Sequence, residues 1–278
     1  MPAAGEGRLE NYMVNKSKFP IGVFDSGLGG LTVMKELMRL LPGEDMVYYG
    51  DTARVPYGTK SKESIVRFSV ENARVLLKYK VKLIVVACNS SSSFALKALK
   101  KRFRVPVVGV IRPGAIKAAA VTRNRKIGVI ATTATIASGA YVRALKLYAP
   151  GARVFPRACP LFVPLAEEGW FKKRVVADIA REYMRPLKKA GIDTLILGCT
   201  HYPLLSGVIQ MSVGKGTVLV DSAREVACEV KRLLARERLA RAGRRAARHK
   251  FLVSDRPQEF QKIARNFLGR NITSVIKV

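Results

Sequence analysis

Two cysteines stand in the same kind of place in this chain. Cys88 follows Leu83-Ile84-Val85-Val86-Ala87 and precedes Asn89-Ser90; Cys199 follows Leu195-Ile196-Leu197-Gly198 and precedes Thr200-His201. Aliphatic runs of this length read as buried parallel strands. Polar residues at the carboxyl ends of such strands are where open α/β sheets hold their ligands. The pattern thus puts two thiols at two strand tips. Acyl transfer would use one nucleophilic cysteine with a histidine. A redox pair usually sits in Cys-x-x-Cys, and a metal needs three or four ligands. The chain has four cysteines, no Cys-x-x-Cys pair and two histidines. What remains is proton transfer between a thiolate and a thiol. A helix N-terminus lowers a thiol pKa from about 8.5. Near the working pH one thiol then takes a proton while the other gives one. Removal on one face of a carbon and delivery on the other inverts a stereocentre. The two thiols have different neighbours and are expected to differ in acidity.

No metal and no cofactor is expected, because signatures for pyridoxal phosphate, a flavin or a nicotinamide are missing. The α-carbon of an amino acid is a very weak acid, so such a site must stabilise the carbanion with fixed donors. Ser26, Asn89, Ser90 and Thr200 are suitable donors.

The elements that must position these groups follow in order. Ile21 to Phe24 reads as a strand, Asp25-Ser26-Gly27-Leu28-Gly29-Gly30 as a turn, and Leu31 to Leu41 as a helix stopped by Pro42-Gly43. The turn matches neither a phosphate loop nor a dinucleotide loop, yet its N–H groups suit a carboxylate. Residues 50–59 read as a polar binding loop. Further helices are expected over 64–80, 115–121, 138–147, 172–190 and 258–268. Further strands are expected over 46–49, 105–111 (ending in an Arg112-Pro113-Gly114 turn), 152–156, 217–220, 251–254 and 272–278. Alternating strands and helices imply α/β architecture, with parallel sheets covered on both faces. Ile21-Gly22-Val23 recurs 106 positions later as Ile127-Gly128-Val129, and the two cysteines lie 111 apart. Two similar offsets suggest an internal duplication into similar halves.

At 278 residues and 49% hydrophobic, the chain can fill two cores. No run reaches the roughly 18 apolar residues of a membrane span, and residues 1–18 read as a flexible extension without a signal-peptide core. A cytoplasmic location with no membrane contact is expected. Fifty Lys and Arg against twenty Asp and Glu give a net charge of +30. The densest block, Lys231 to Lys250, has nine basic residues, one acid and no aromatic. It reads as a solvated helix face or linker, with nucleic-acid contact as the alternative.

Six motifs resemble those of bacterial glutamate racemases. They are Asp25-Ser26-Gly27-x-Gly29-Gly30-Leu31-Thr32, Gly50 to Lys60, Ala87-Cys88-Asn89, Ile130-Ala131-Thr132-x-Ala134-Thr135-Ile136, Ala158 to Pro164, and Gly198-Cys199-Thr200-His201-Tyr202-Pro203-Leu204. They occur in the family's order and span about Phe19 to Val278. The resemblance implies cofactor-independent interconversion of L- and D-glutamate, supplying D-glutamate for peptidoglycan. It implies Cys199 as the base toward L-glutamate and Cys88 toward D-glutamate, assisted by Asp25 and His201. Glu167 matches a further acid near the site, with the adjacent Glu168 as the alternative. Asp25, Ser26, Tyr57, Gly58, Asn89, Ser90, Thr200 and His201 would hold the substrate, and Pro56, Thr132 and Thr135 would line its cleft. The implied fold is two similar parallel-sheet α/β domains related by pseudo-symmetry, with the site between them. The first would hold residues 19–113 and 223–278, the second 114–222. A homodimer is expected. Ser90 stands where the family usually has threonine. Alternatives are a racemase of another acidic amino acid such as aspartate, or a weak nucleic-acid or DNA gyrase association through the basic surface. The Gly198-to-Tyr202 motif and the Pro56-Tyr57-Gly58 loop favour glutamate.

Overall fold

The structure is a computed structural model that describes residues 16–243 and 246–278. Most of the expected N-terminal extension, residues 1–15, and Arg244 and Arg245 of the basic block lie outside the described residues. The chain runs β1 (Ile21–Asp25), α1 (Leu31–Leu40), β2 (Met46–Gly50), α2 (Lys62–Leu77), β3 (Leu83–Val86), α3 (Asn89–Phe94), α4 (Leu96–Arg102) and β4 (Val107–Gly109). It continues through α5 (Ile111–Val121), β5 (Lys126–Ala131), α6 (Thr133–Ala137), α7 (Ala140–Tyr148), β6 (Arg153–Ala158), α8 (Phe162–Glu167), α9 (Arg174–Lys189), β7 (Thr194–Gly198), α10 (Ser206–Val213) and β8 (Val218–Asp221). It ends with α11 (Ser222–Arg236), β9 (His249–Val253), α12 (Pro257–Leu268) and β10 (Ile276–Lys277).

Among the described residues the strands form two all-parallel sheets, ordered β10-β9-β2-β1-β3-β4 and β6-β5-β7-β8. The order β2-β1-β3-β4 thus recurs as β6-β5-β7-β8, the topological counterpart of the sequence repeat. The repeated glycine has a packing reason. A Cβ on Gly22 would sit 3.1 Å from Val81, and one on Gly128 would sit 2.6 Å from Ile192. Val81 and Ile192 each enter the next strand of their half, so each glycine makes room for the same approach.

Strand side chains alternate between faces, and both faces are covered. Ile21, Val23, Met46, Tyr48, Leu83 and Val85 pack in one core with α1, α11 and α12. Phe24, Val47, Tyr49, Ile84 and Val86 pack in another with α2 and α4. In the second sheet Ile130, Leu195 and Leu197 face one core, while Ile127, Val129 and Ile196 face the other. Covering both faces makes the inner positions of the central strands apolar, which is why β3 and β7 read as nearly unbroken aliphatic runs. Each fully buried side chain of this kind contributes about 1.5–3 kcal/mol.

Three local expectations are corrected. The strand expected to run to Ile111 stops at Gly109, and α5 begins at Ile111 and runs through Pro113 and Gly114. Proline is tolerated there because the N–H groups of a first helical turn have no intrahelical partner. The helix expected over 138–147 starts two residues later, at Ala140, because Gly139 turns left-handed at φ 63°, and the short α6 precedes it unanticipated. The last strand is reduced to Ile276–Lys277, because Ile272 turns into the first core and its carbonyl accepts from Gln261 at 2.6 Å. The sheets draw on residues 21–109 with 249–277 and on residues 126–221. The boundary expected between residues 113 and 114 falls inside α5.

Candidate active site

Parallel strands bring all their carboxyl ends to one edge, and the two thiols lie there. β3 ends at Val86, and Cys88 is the residue before α3, its carbonyl accepting from Ser92 N at 2.9 Å. β7 ends at Gly198, and Cys199 leads into the turn at Tyr202–Leu205. Both cysteines are buried and line one cavity between the sheets. The first half contributes Ser26, residues 56–58 and residues 88–90 to it; the second contributes Thr132, Glu167 and residues 199–201. Asp25 and Thr135, also expected at the site, are buried behind this wall rather than in it. Val55 and Val163 line the cavity and were not anticipated; they belong to the Gly50-to-Lys60 and Ala158-to-Pro164 motifs, so a signal was present for both. The free space is about 20 Å³, room for about one water molecule.

Around Cys88 the expected lowering of the thiol pKa is not found. Burial, then the Asp25 charge, push it up to about 12. The N–H and hydroxyl of Ser91 and the hydroxyl of Ser26 pull the other way without prevailing. Loss of water penalises the thiolate more than the start of a six-residue helix repays. Burial also raises Asp25, opposed by the His201 charge and by N–H groups of Gly30, Gly27 and Ser26. Its Oδ2 accepts from Gly27 N at 3.0 Å, while Oδ1 has no hydrogen-bond partner among the described residues.

Cys199 has a different neighbour. Its Sγ lies 3.7 Å from His201 Nδ1, and His201 Nε2 lies 2.9 Å from Glu167 Oε1. Burial disfavours the imidazolium, but the hydrogen bonds to Cys199 and Glu167 and their charges carry His201 up to about 10. These partners favour the charged ring, with Nδ1 toward one sulfur. Glu167 lines both this cavity and an outer cleft shared with Asp255 and Glu259, whereas Glu168 lines only the outer cleft, so Glu167 is the acid joined to the histidine.

The glycine-rich turn meets the second half directly. A Cβ on Gly29 would collide with Thr200 Oγ1 and sit 2.6 Å from the His201 ring. Thr32 Oγ1 lies 2.9 Å from Gly29 O and 3.1 Å from Thr200 O, tying the two loops together. Across the cavity, Ser90 Oγ lies 3.1 Å from Thr132 Oγ1 and 3.2 Å from Thr135 Oγ1. Gly58 is required where its chain meets Thr132, since a Cβ would sit 2.7 Å from Thr132 Cβ. The Tyr57 phenol donates to Asp51 and accepts from Asn72 Nδ2 at 3.1 Å. That leaves its ring and backbone for the cavity. Asp51 lies in the Gly50-to-Lys60 motif and Thr32 closes the Asp25-to-Thr32 motif, whereas Asn72 carried no signal tying it to the site. Asn89 Oδ1 accepts from Tyr141, and its buried Nδ2 has no partner among the described residues. Among those residues no cluster of three or more His, Cys, Asp or Glu could hold a metal ion, and no helix is long and apolar enough to cross a membrane.

The model of the family described as Asp/Glu/Hydantoin racemase matches residues 21–230. The chain belongs to this racemase family. It is therefore an isomerase. This racemase is 52% identical over 258 residues to the glutamate racemase of Geobacter metallireducens, covering 93% of this chain and 96% of that one. It is 47% identical to the glutamate racemase of Syntrophus aciditrophicus over 259 residues, again 93% and 96% of the two chains. Among solved structures, a glutamate racemase isoform from Bacillus anthracis superposes with a TM-score of 0.90 at 40% identity, covering 94% of this chain and 97% of that one. The Francisella tularensis glutamate racemase in complex with D-glutamate superposes at 0.88 with 36% identity, covering 94% and 98%.

Proposed function

We propose that the protein racemises glutamate by a two-thiol proton transfer without a cofactor, in the cytoplasm, and supplies D-glutamate for peptidoglycan, and so for cell-wall formation and cell shape. The observation that carries the reading is the pair of buried thiols lining one cavity, one 3.7 Å from the His201 ring and the other within reach of the Asp25 charge. Toward D-glutamate, the Cys199 thiolate takes the α-hydrogen of L-glutamate, and the electron pair left on the α-carbon is held by cavity donors. The Cys88 thiol, protonated because its pKa is about 12, delivers its proton to the opposite face. Cys199 ends as a thiol and Cys88 as a thiolate facing Asp25. The His201 cation stabilises a thiolate at Cys199, and Glu167 stabilises that cation. The unpartnered Asn89 Nδ2, with Ser26, Ser90, Thr132 and Thr200, supplies donors for the carboxylates. About 20 Å³ cannot hold an amino acid, so the halves part to admit it.

In deuterated water the protein should exchange the α-hydrogen of glutamate, far faster than that of aspartate, and invert its configuration with nothing added. Removing one acid/base group costs about 10²–10⁴-fold. Cys88→Ala should lose racemisation yet still exchange the α-hydrogen of L-glutamate through Cys199; Cys199→Ala should exchange only D-glutamate. Undiminished racemisation by either variant would refute the mechanism. A homodimer remains part of this reading. The net charge of +30 favours a second role, weak association with nucleic acid or DNA gyrase. Its check is the salt dependence of DNA binding, where a flat slope removes it.

A further inference from the structure

Tyr141 is a second-half residue that reaches both thiol loops. It sits in α7, almost wholly buried, and its hydroxyl donates to Asn89 Oδ1 at 2.8 Å, one residue after Cys88. Its ring occupies the space a side chain on Gly198 would fill: a Cβ there would sit 3.0 Å from Tyr141 Cε2. Gly198 is one residue before Cys199. Gly114, in the helix that first crosses between the sheets, lies against the same ring, its Cβ position 3.6 Å from Tyr141 Cε1. Near the second crossing, Ser222 at the start of α11 lies beside the phenol, both flanking Gly114. Burial raises the phenol pKa, and Ser222 opposes this. Tyr141 thus keeps its proton, and that proton goes to Asn89 Oδ1, which can only accept.

An asparagine amide can present either its carbonyl or its NH₂ group. A donor locked onto Oδ1 leaves only one choice. Nδ2 is buried and without a partner among the described residues, while Asn89 itself lines the cavity. A buried, unpaired NH₂ is costly, and a carboxylate oxygen from the cavity would recover that cost. We propose that Tyr141 is a positioning residue for substrate recognition: its hydroxyl fixes the Asn89 amide so that the site offers a hydrogen-bond donor, and hence prefers a carboxylate, at that point. Its ring meanwhile sets the separation of the two thiol loops.

This inference rests on the glutamate racemase reading, and its test separates the two. Wild-type protein is first assayed with L- and D-glutamate; absence of turnover there counts against the proposed function. In Tyr141→Phe the ring stays and only the hydroxyl is lost. KM for both enantiomers should rise about tenfold, the scale of one hydrogen bond to a charged group. The value of kcat should stay within about twofold, and the melting temperature should hardly move. With Asn89→Ala already in place, Tyr141→Phe should raise KM no further, because there is no amide left to orient. Ser222→Ala, which leaves the ring and phenol in place, should raise KM about two- to threefold and serves if the phenylalanine variant folds poorly. An unchanged KM in both Tyr141→Phe and Ser222→Ala, or a Tyr141→Phe effect fully additive with Asn89→Ala, would overturn the proposal.

Discussion

Replacing Glu167 by glutamine should lower the pKa of His201 by about one to two units. Glu167 Oε1 is 2.9 Å from His201 Nε2. Opposite unit charges about 4 Å apart attract by about 4 kcal/mol at an effective dielectric constant of about 20. The Glu167 side chain is 33% exposed, so solvent screening reduces this to the 1.5–3 kcal/mol or so of a hydrogen bond to a charged group. At about 1.4 kcal/mol per unit this gives one to two units, starting from about 10. Glutamine keeps the acceptor and the shape and removes only the charge. The assay is direct, because the chain has two histidines and so two imidazole signals in a proton NMR titration. The His249 signal should titrate below 6.5, since burial and Arg270 lower that group against the pull of Asp45. The His201 signal should stay in its charged position to beyond pH 9 and move into range only in Glu167→Gln. A wild-type His201 midpoint near 6.5, or no change in the variant, would refute the reasoning. The kinetics add a constraint. Enantiomers have equal free energies in water, so kcat/KM must be equal in both directions and fall equally in the variant; unequal thiol acidity can show only in kcat and KM separately.

Other consequences are equally open to measurement. His201 is raised from 6.5 to about 10, so its contribution to stability is complete below about pH 6.5 and lost as pH rises through about 10; the melting temperatures of wild type and Glu167→Gln should differ at pH 6 and converge above pH 10. Gly29→Ala would push a methyl group into Thr200 and the His201 ring, and racemisation should fall at least about a hundredfold, the lower range for loss of an acid/base group, while circular dichroism still reports a folded protein. Lys82 is buried with Nζ 2.5 Å from Glu44 and 2.8 Å from the Leu239 carbonyl. Lys82→Met should cost about 3–5 kcal/mol by stranding the carboxylate, lowering the thermal midpoint by about 10 °C. Adding Glu44→Leu should restore part of the loss.

The fold was legible where one physical cause governed a whole segment. Strands covered on both faces had to be aliphatic throughout, so 83–86 and 195–197 stood out, and the same closeness of packing at Gly22 and Gly128 made the repeat visible. The thiols were legible because they follow such strands. What could not be read depends on distant partners. Tyr141 meets Asn89 across 52 positions and Thr32 meets Thr200 across 168; no local pattern encodes either. The acidity of Cys88 was read in the wrong direction because a helix start is visible in sequence, whereas burial beside Asp25 is not. Asp25 and Thr135 belong to the right motifs but stand behind the wall, a matter of side-chain direction that spacing does not decide.

The two proton paths end differently. In the proposed mechanism the contacts from Cys199 lead through His201 to a Glu167 side chain that is one-third exposed, whereas the charge nearest in effect to Cys88 is that of Asp25, which solvent does not reach. If the thiols work as proposed, each turnover leaves the site in the mirror image of its starting state, with the proton on the other sulfur. The free enzyme then carries a memory of the enantiomer it last released. Glu167 erases that memory at one end, and opening of the cleft erases it at the other. When D-glutamate is drained steadily, every cycle begins from the wrong state, and the speed of forgetting becomes a second ceiling on flux beside the speed of the chemistry.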